Sequence, residues 1–362
     1  MSELETLREI IERESPSADK AACDALAQYL RDRLAAVGAQ VQLHPNDAAG
    51  EHVEARFGVG DRRPALILCH YDTVWPRGTT ARRPFRVEDG RAYGPGIFDM
   101  KTSLVLVELV LRRLRERPTP RPITILMTSD EEIGSRSSRA LIEQRAREAA
   151  YVLVLEPPLA PGVIKMRRKG TGGFRVEIIG RAAHAGLEPE KGISALVELA
   201  HQILRVSALT DLTKGTTVTV GLARGGTAAN VVPGSAEAQI DVRIWTQPEA
   251  ERVSQAILST ESVLAGTQIR VTGGLNRPPM ELSPQQEQLF ESARVIAASL
   301  GFDLKHGSAG GGSDGNFTTA LGVPTLDGLG CPGDGAHAEH EHILVDRISA
   351  QADLLASLIE EL

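Results

Sequence analysis

The sequence of 362 residues predicts an α/β fold: a doubly wound, mostly parallel sheet with helices on both faces, plus an inserted ferredoxin-like α+β domain. Three observations lead there. Short, continuously apolar strands alternate with helices in the first half of the chain, as strands covered on both faces do. From about residue 173 the strands alternate apolar and polar residues instead, the pattern of antiparallel strands with one wet side. After "LNRPP" the first pattern resumes, so the smaller domain interrupts the larger one. The expected boundaries are 1–172 and 277–362 for the larger domain and 173–276 for the insertion. Two domains also suit the length, since single cores seldom grow beyond ~250 to 300 residues.

The chain opens on "MSELETLREIIERES", an acidic amphipathic helix with no apolar segment of the signal-peptide kind, which points to a cytoplasmic protein. Residues 17–38 read as a second helix, with Ser17 as its cap, Cys23, Leu26, Leu30, Leu34 and Val37 on one stripe, and Gly38 as its stop. Three apolar strands follow, "ALILC" at 65–69, "ITILM" at 123–127 and "YVLVL" at 151–155, with helices near 101–115 and 136–148 between them. Within the first of these helices "TSLVLVELVL" is too short to cross a bilayer and contains Glu108, so it belongs in the core. In the insertion, "FRVEI" places Phe174, Val176 and Ile178 on one face, and "TVTVGL" does the same with Val218, Val220 and Leu222. "AEAQIDVRI" aligns Ala236, Ala238, Ile240, Val242 and Ile244. With helices at 193–207 and 248–261 and a last strand "QIRVTG" at 268–273, the order is that of a split β-α-β domain. Helices near 283–300 and 346–361 complete the larger domain.

Composition narrows the function. A chain with 42% hydrophobic and 24% charged residues is an ordinary globular protein. Its net charge of −7 argues against nucleic acid as a partner, because phosphate contacts need a concentrated basic face. The basic stretches that exist, "MRRKG" at 166–170 and the Arg/Pro run at 112–121, are short and read as solvated surface. Cys23, Cys69 and Cys331 form no C-x-x-C pair and no even framework, which suits a reducing compartment, and the first two read as core residues.

Chemistry gathers where the apolar strands end. "ALILCHYDTVW" breaks from a strand into His70 and Asp72, which strand periodicity turns to the same side, so the carboxylate can orient the imidazole. Glu131 and Glu132 follow the second strand, Glu156 follows the third, and Asp99 lies in the glycine-rich turn "GPGIFDMK" ahead of a helix. Each alone also fits a solvated loop; together they occupy the carboxyl edge of one sheet, where ligands of doubly wound folds bind. The tail adds His337, His340 and His342 in "GDGAHAEHEHI", equally readable as a surface cluster. His70, Asp99, Glu132, Glu156 and His337 suffice for two Zn²⁺ ions if one carboxylate is shared, which leaves Glu131 free as a general base. "SAGGGSDG" lacks the ending of a phosphate-binding loop, so nucleotide binding is excluded.

The motifs "LCHYDTVW", "GPGIFDMK", "TSDEEIGS", "LEP", "GRAAHAG", "NVVPGSAEAQIDVR", "GGGSDGNF" and "GAHAEHE" stand in the order seen in one family. In these the chain resembles the zinc-dependent aminoacylase and carboxypeptidase family, which includes glutamate carboxypeptidase, acetylornithine deacetylase and succinyl-diaminopimelate desuccinylase. It is most similar to the glutamate carboxypeptidase branch. The resemblance runs from about residue 5 to the end. It implies that Asp99 bridges two zinc ions, that Glu132 and His337 complete one site and His70 and Glu156 the other, and that Asp72 orients His70. His337 is preferred over His340 because its H-x-x-x-E spacing to Glu341 matches the family. Glu131 would take a proton from water and pass it to the leaving amine. His184 would stabilise the oxyanion across a homodimer interface. Asn230 and Arg243 would hold a substrate carboxylate, although Arg243 also reads as a salt-bridged surface residue. Gly311 and Gly312 would line the substrate backbone. Expected substrates are peptides or N-acyl amino acids, with Co²⁺ or Mn²⁺ as alternative metals and no membrane or nucleic-acid partner. A deacylase of N-acyl amino acids or N-acyl diamines is the nearest rival, and an inactive metal-binding dimer module a distant one.

Overall fold

A strand that is apolar on every residue has to be covered on both sides. Ala65–His70 is buried throughout and lies inside an eight-stranded sheet of the computed structural model, which describes residues 2–116 and 121–362. Residues 117–120 of the Arg/Pro run lie outside the described residues. Ile123–Thr128, Ala65–His70, Tyr151–Val154 and Thr325–Asp327 form the parallel centre of the sheet. Antiparallel strands flank it: His52–Phe57 and then Gln40–His44 on one side, Val163–Arg168 on the other, with Lys305–Ala309 at the far edge.

Alternation along the buried strand separates two cores. Ile67 and Cys69, with Ile125, Met127 and Leu153, pack among apolar residues of helices Glu3–Glu12, Lys20–Ala36, Thr102–Leu114, Pro284–Ser299 and Arg347–Glu361. Leu66, Leu68, Leu126, Val152 and Val154 face the other way, onto Ile142 and Ala146 of helix Arg139–Glu148 and Phe317 of helix Gly315–Ala320. Helices therefore cover both faces, and every strand end of the parallel centre opens on the same edge. The helix expected at 17–38 begins later, at Lys20, capped by Asp19 rather than Ser17. Asp19 accepts the N–H of Ala22 and frees the Ser17 hydroxyl for a distant partner described below.

By contact density the chain forms two compact units: the chain up to Arg167 with Leu282–Ala309 and Ser313–Leu362, and Arg168–Glu281 with Gly310–Gly312. In the second unit, strands Gly170–Ile179, Thr217–Gly225, Ser235–Ile244 and Gln268–Arg277 form an antiparallel sheet. The spatial order is second, third, first, fourth, as in a ferredoxin-like domain. Phe174, Val176, Ile178 and the alternate residues Ala236 to Ile244 bury one face against helices Ala195–Ser207 and Gln247–Leu258. Leu222 departs from the expected pattern. A register shift between Val220 and Leu222 reverses the alternation, and Leu222 ends 64% exposed on an edge strand.

The basic stretch "MRRKG" also differs from its reading as solvated surface. Arg168 is buried and donates from Nη1 to the carbonyls of Gly311 and Gly312, two backbone acceptors far away in the chain. All three cysteines are buried and free. Among the described residues no helix is long and apolar enough to cross a membrane.

Candidate metal centre

His70 closes the strand Ala65–His70, and both of its ring nitrogens are engaged. Nδ1 lies 3.0 Å from the backbone oxygen of Asp72 and 3.4 Å from its Oδ1. Those two acceptors place the ring proton on Nδ1 and leave Nε2 as the available lone pair. Nε2 points at Asp99 Oδ1 at 3.1 Å and at Glu156 Oε1 at 3.8 Å. On the other side of Asp99, Oδ2 lies 3.4 Å from His337 Nε2, which is also 3.2 Å from Glu132. Two trios result, His70 with Asp99 and Glu156, and Asp99 with Glu132 and His337; within each, the ligand atoms lie within 4.8 Å of one another. Asp99 belongs to both, offering one oxygen to each.

The electrostatics fit a cation. Burial works against charge on His70, yet the carboxylates of Asp72 and Asp99 raise its proton affinity well above the ordinary range. Hydrogen bonds to Asp99 and Glu132 lift His337 to about 10. Burial pushes the Asp99 carboxyl up, but the hydrogen bonds of His337 and His70 outweigh it and hold the group well below the usual carboxylate range. Glu132, with burial dominant, is pushed up. Five side chains thus gather positive charge on imidazoles set among three carboxylates, and two nitrogen and three carboxylate donors are a set that Zn²⁺ accepts.

Asp72 is fully buried and connects the ligand strand to the acidic turn. Its Oδ1 accepts the N–H of Glu131 at 3.2 Å, and its Oδ2 accepts the N–H of Glu132 at 3.2 Å and the Ser17 hydroxyl at 2.7 Å. The turn is one 3₁₀ segment, Glu131–Ile133, so its two glutamates share an anchor while Glu132 reaches His337. Glu131 is half-buried, and its charge contributes to the raised proton affinity of His70. His340 enters neither trio, and its carbonyl instead accepts from His342 Nδ1.

Sequence reasoning missed the hydroxyl of Ser17 and the full part played by Glu341, noted only for its spacing. Glu341 is buried and accepts the N–H groups of Gly96, Phe98 and Asp99 and the indole N–H of Trp75. Lys101, also buried, donates to the carbonyls of Ile10 and Arg13 at the end of the first helix. Burial lowers its pKa to about 7.

The remaining expected residues lie in the second unit. His184 forms a short antiparallel pair with Val231, and the next residue, Ala185, donates to the carbonyl of Asn230, so His184 and Asn230 are neighbours. His184 Nδ1 accepts the N–H groups of Gly186 and Leu187, both at 3.1 Å. A nitrogen that accepts twice carries no proton, so the exposed ring presents an N–H at Nε2. Arg243 is paired with Asp241 two residues earlier on the same polar face, at 2.9 Å. Gly311 and Gly312 turn their carbonyls to Arg168.

Comparison with known proteins matches residues 66–361 to the model of peptidase family M20/M25/M40. The chain is similar to carboxypeptidase G2 of Pseudomonas sp. strain RS-16, 29% identical over 99% of this chain and 89% of that one. A succinyl-diaminopimelate desuccinylase of Thioalkalivibrio sulfidiphilus is 25% identical over 99% of this chain and 98% of its own. In structure it is similar to aminopeptidase PepT of Bacillus cereus, with a TM-score of 0.83 at 23% identity, covering 99% of this chain and 97% of that one.

Proposed function

The chain belongs to peptidase family M20/M25/M40, and on that premise we propose that this hydrolase holds two Zn²⁺ ions per subunit and cleaves an amide or peptide bond next to a free carboxylate. The carrying observation is Asp99, whose two oxygens face the imidazoles of two separate ligand trios. His70, Asp99 and Glu156 would hold one ion, and Asp99, Glu132 and His337 the other. Bound there, the ions supply Lewis acidity to the scissile carbonyl and to an attacking water. Co²⁺ or Mn²⁺ suits the same mixed donors.

The protein's own groups do the rest. Asp72 keeps His70 in the tautomer whose Nε2 is free. Glu131, anchored through its N–H to Asp72 but absent from both trios, takes the proton of the attacking water and returns it to the leaving amine. His184 directs its Nε2–H at the oxygen of the carbonyl, where negative charge develops. Asn230 and Arg243 hold the substrate carboxylate, and the loop at Gly311 and Gly312 lies along the substrate backbone. The active form is a cytoplasmic homodimer paired through the second unit. Exposed Leu222 on the edge strand and exposed Leu204 on helix Ala195–Ser207 support that surface, and His184 serves the partner's site.

A second reading keeps the machinery and changes the substrate to an N-acyl amino acid or N-acyl diamine; the similarity to a desuccinylase over 99% of the chain favours it. One experiment separates them. Purified protein is analysed for metal, then assayed on dipeptides and N-acyl amino acids with free and amidated carboxyl termini, in wild-type form and as Arg243→Ala. The carboxypeptidase reading expects two ions per subunit, preference for free carboxylates, and a loss in the variant confined to them. Equal activity on amides would shift the assignment to the deacylase.

A further inference from the structure

Glu341 is not a ligand in either trio, yet four N–H groups converge on its carboxylate. Oε1 accepts the N–H of Phe98 at 3.0 Å and of Asp99 at 3.1 Å; Oε2 accepts the N–H of Gly96 and the indole of Trp75, both at 2.9 Å. Three of the four donors belong to the turn that carries Asp99. The fourth lies five residues beyond His70, on a ring stacked under the Arg83 guanidinium at 4.3 Å, and Arg83 in turn donates to the carbonyl of Ala338. Glu341 itself stands four residues after His337, whose backbone takes the left-handed conformation at φ 61°, a costly one for a residue with a side chain. That loop is closed by bonds from Ala338 to Gly335 and from Glu341 to Ala338.

We propose that Glu341 is a positioning residue for the dinuclear centre: one buried carboxylate ties together the His70, Asp99 and His337 segments and fixes the shared carboxylate of Asp99 where both trios can use it. The physical case is one of competing demands. Asp99 gives one oxygen to each trio, and its side chain's hydrogen bonds go to the ligand imidazoles of His70 and His337. Its position therefore depends on its backbone, and a carboxylate accepting three N–H groups of that turn holds it more firmly than neutral acceptors would. Partners of this kind behind metal ligands are typically worth about 10–100-fold in metal affinity. Because the ligand held is the shared one, the effect must fall on both ions.

This rests on the two-ion reading above, and the test separates the two. Metal affinities are measured by competition with a chromophoric chelator, using Zn²⁺, on wild type, Glu341→Gln, Glu156→Ala and Asp99→Ala, with the melting temperature of each metal-free protein alongside. Glu341→Gln leaves one acceptor oxygen and turns an amide on two donors. The expected result is a 10–100-fold loss at both sites. Glu156→Ala, which belongs to one trio, lowers one site more than the other. Should Glu341→Gln not fold, Glu341→Asp, which keeps the charge but withdraws it by one methylene, is held to the same criterion. Unchanged affinity at both sites, or loss at one alone, overturns the positioning role. If wild type binds fewer than two ions, the two-ion reading falls; if Asp99→Ala still binds two at wild-type affinity, Asp99 is not shared and the positioning role falls with it.

Discussion

Replacing Asp72 with Asn keeps the side chain's shape and removes its charge, so it probes the joint between the ligand strand and the acidic turn. The carboxylate is fully buried and accepts from Ser17 at 2.7 Å and from the N–H groups of Glu131 and Glu132 at 3.2 Å, with His70 Nδ1 at 3.4 Å from Oδ1. An asparagine has one oxygen for these donors. Placed at the Oδ2 position it keeps Ser17 and Glu132 and turns its NH₂ on Glu131; placed at Oδ1 it opposes the other two. At least one buried N–H then faces another donor, at about 1–3 kcal/mol. For a domain of this size that lowers the melting temperature by about 2–12 °C, at ~2–4 °C per kcal/mol. Losing the orienting charge on His70 adds a fall of about 10–100-fold in metal affinity. Calorimetry of the metal-free protein and chelator competition measure the two effects separately. A cycle with Ser17→Ala adds a second criterion. The hydroxyl bonds a charged oxygen in wild type and a neutral amide in the variant, so the two substitutions should couple by about 0.5–3 kcal/mol. Wild-type melting and metal affinity in Asp72→Asn, or strict additivity with Ser17→Ala, would refute the reasoning.

Glu131→Gln should leave metal content near wild type while turnover falls by ~10² to 10⁴, the range of a general base; normal turnover with both ions bound removes the assignment. A tagged heterodimer of Glu131→Ala and His184→Ala subunits should recover about half of wild-type activity if His184 serves the partner's site, since one of two sites then holds both groups. A heterodimer as inactive as its parents would confine His184 to its own subunit. Stability should weaken in acid through His52, which is buried and accepts the N–H of Ser129 on Nδ1 at 3.3 Å. Burial holds its pKa below the ordinary value of about 6.5, so the stability it contributes is complete above that pH and is lost as pH falls through the folded-state value. The urea midpoint of wild type should therefore approach that of His52→Gln between about pH 7.5 and about pH 5; a constant gap argues otherwise.

Much of this site is legible in sequence because its ligands follow apolar strands directly. A run such as Ala65 to Leu68 has to be buried, so the polar residues after it must stand at the sheet edge, and His70, Glu132 and Glu156 do. Partners far apart in the chain are another matter. Ser17 looks like a helix cap because local spacing is all that a cap requires, while its partner Asp72 lies 55 residues on. Arg168 looks solvated for the same reason, its acceptors lying more than 140 residues away. Leu222 is misread because a bulge at Gly221 inverts the pattern, and the isolated glycine in "TVTVGL" is its one local sign.

The two trios differ in access: the His70 side chain is 2% exposed and that of His337 is 49%. Exchange rate and affinity are separate properties, and this asymmetry acts on the first. A chelator would reach an ion held in the His337 trio sooner than one held beside the buried His70. Timed stripping followed by a different metal should then yield a centre with two unlike ions in known places. A paramagnetic ion such as Co²⁺ or Mn²⁺ put into the outer position would report spectroscopically on one half of the pair while the inner ion stays silent.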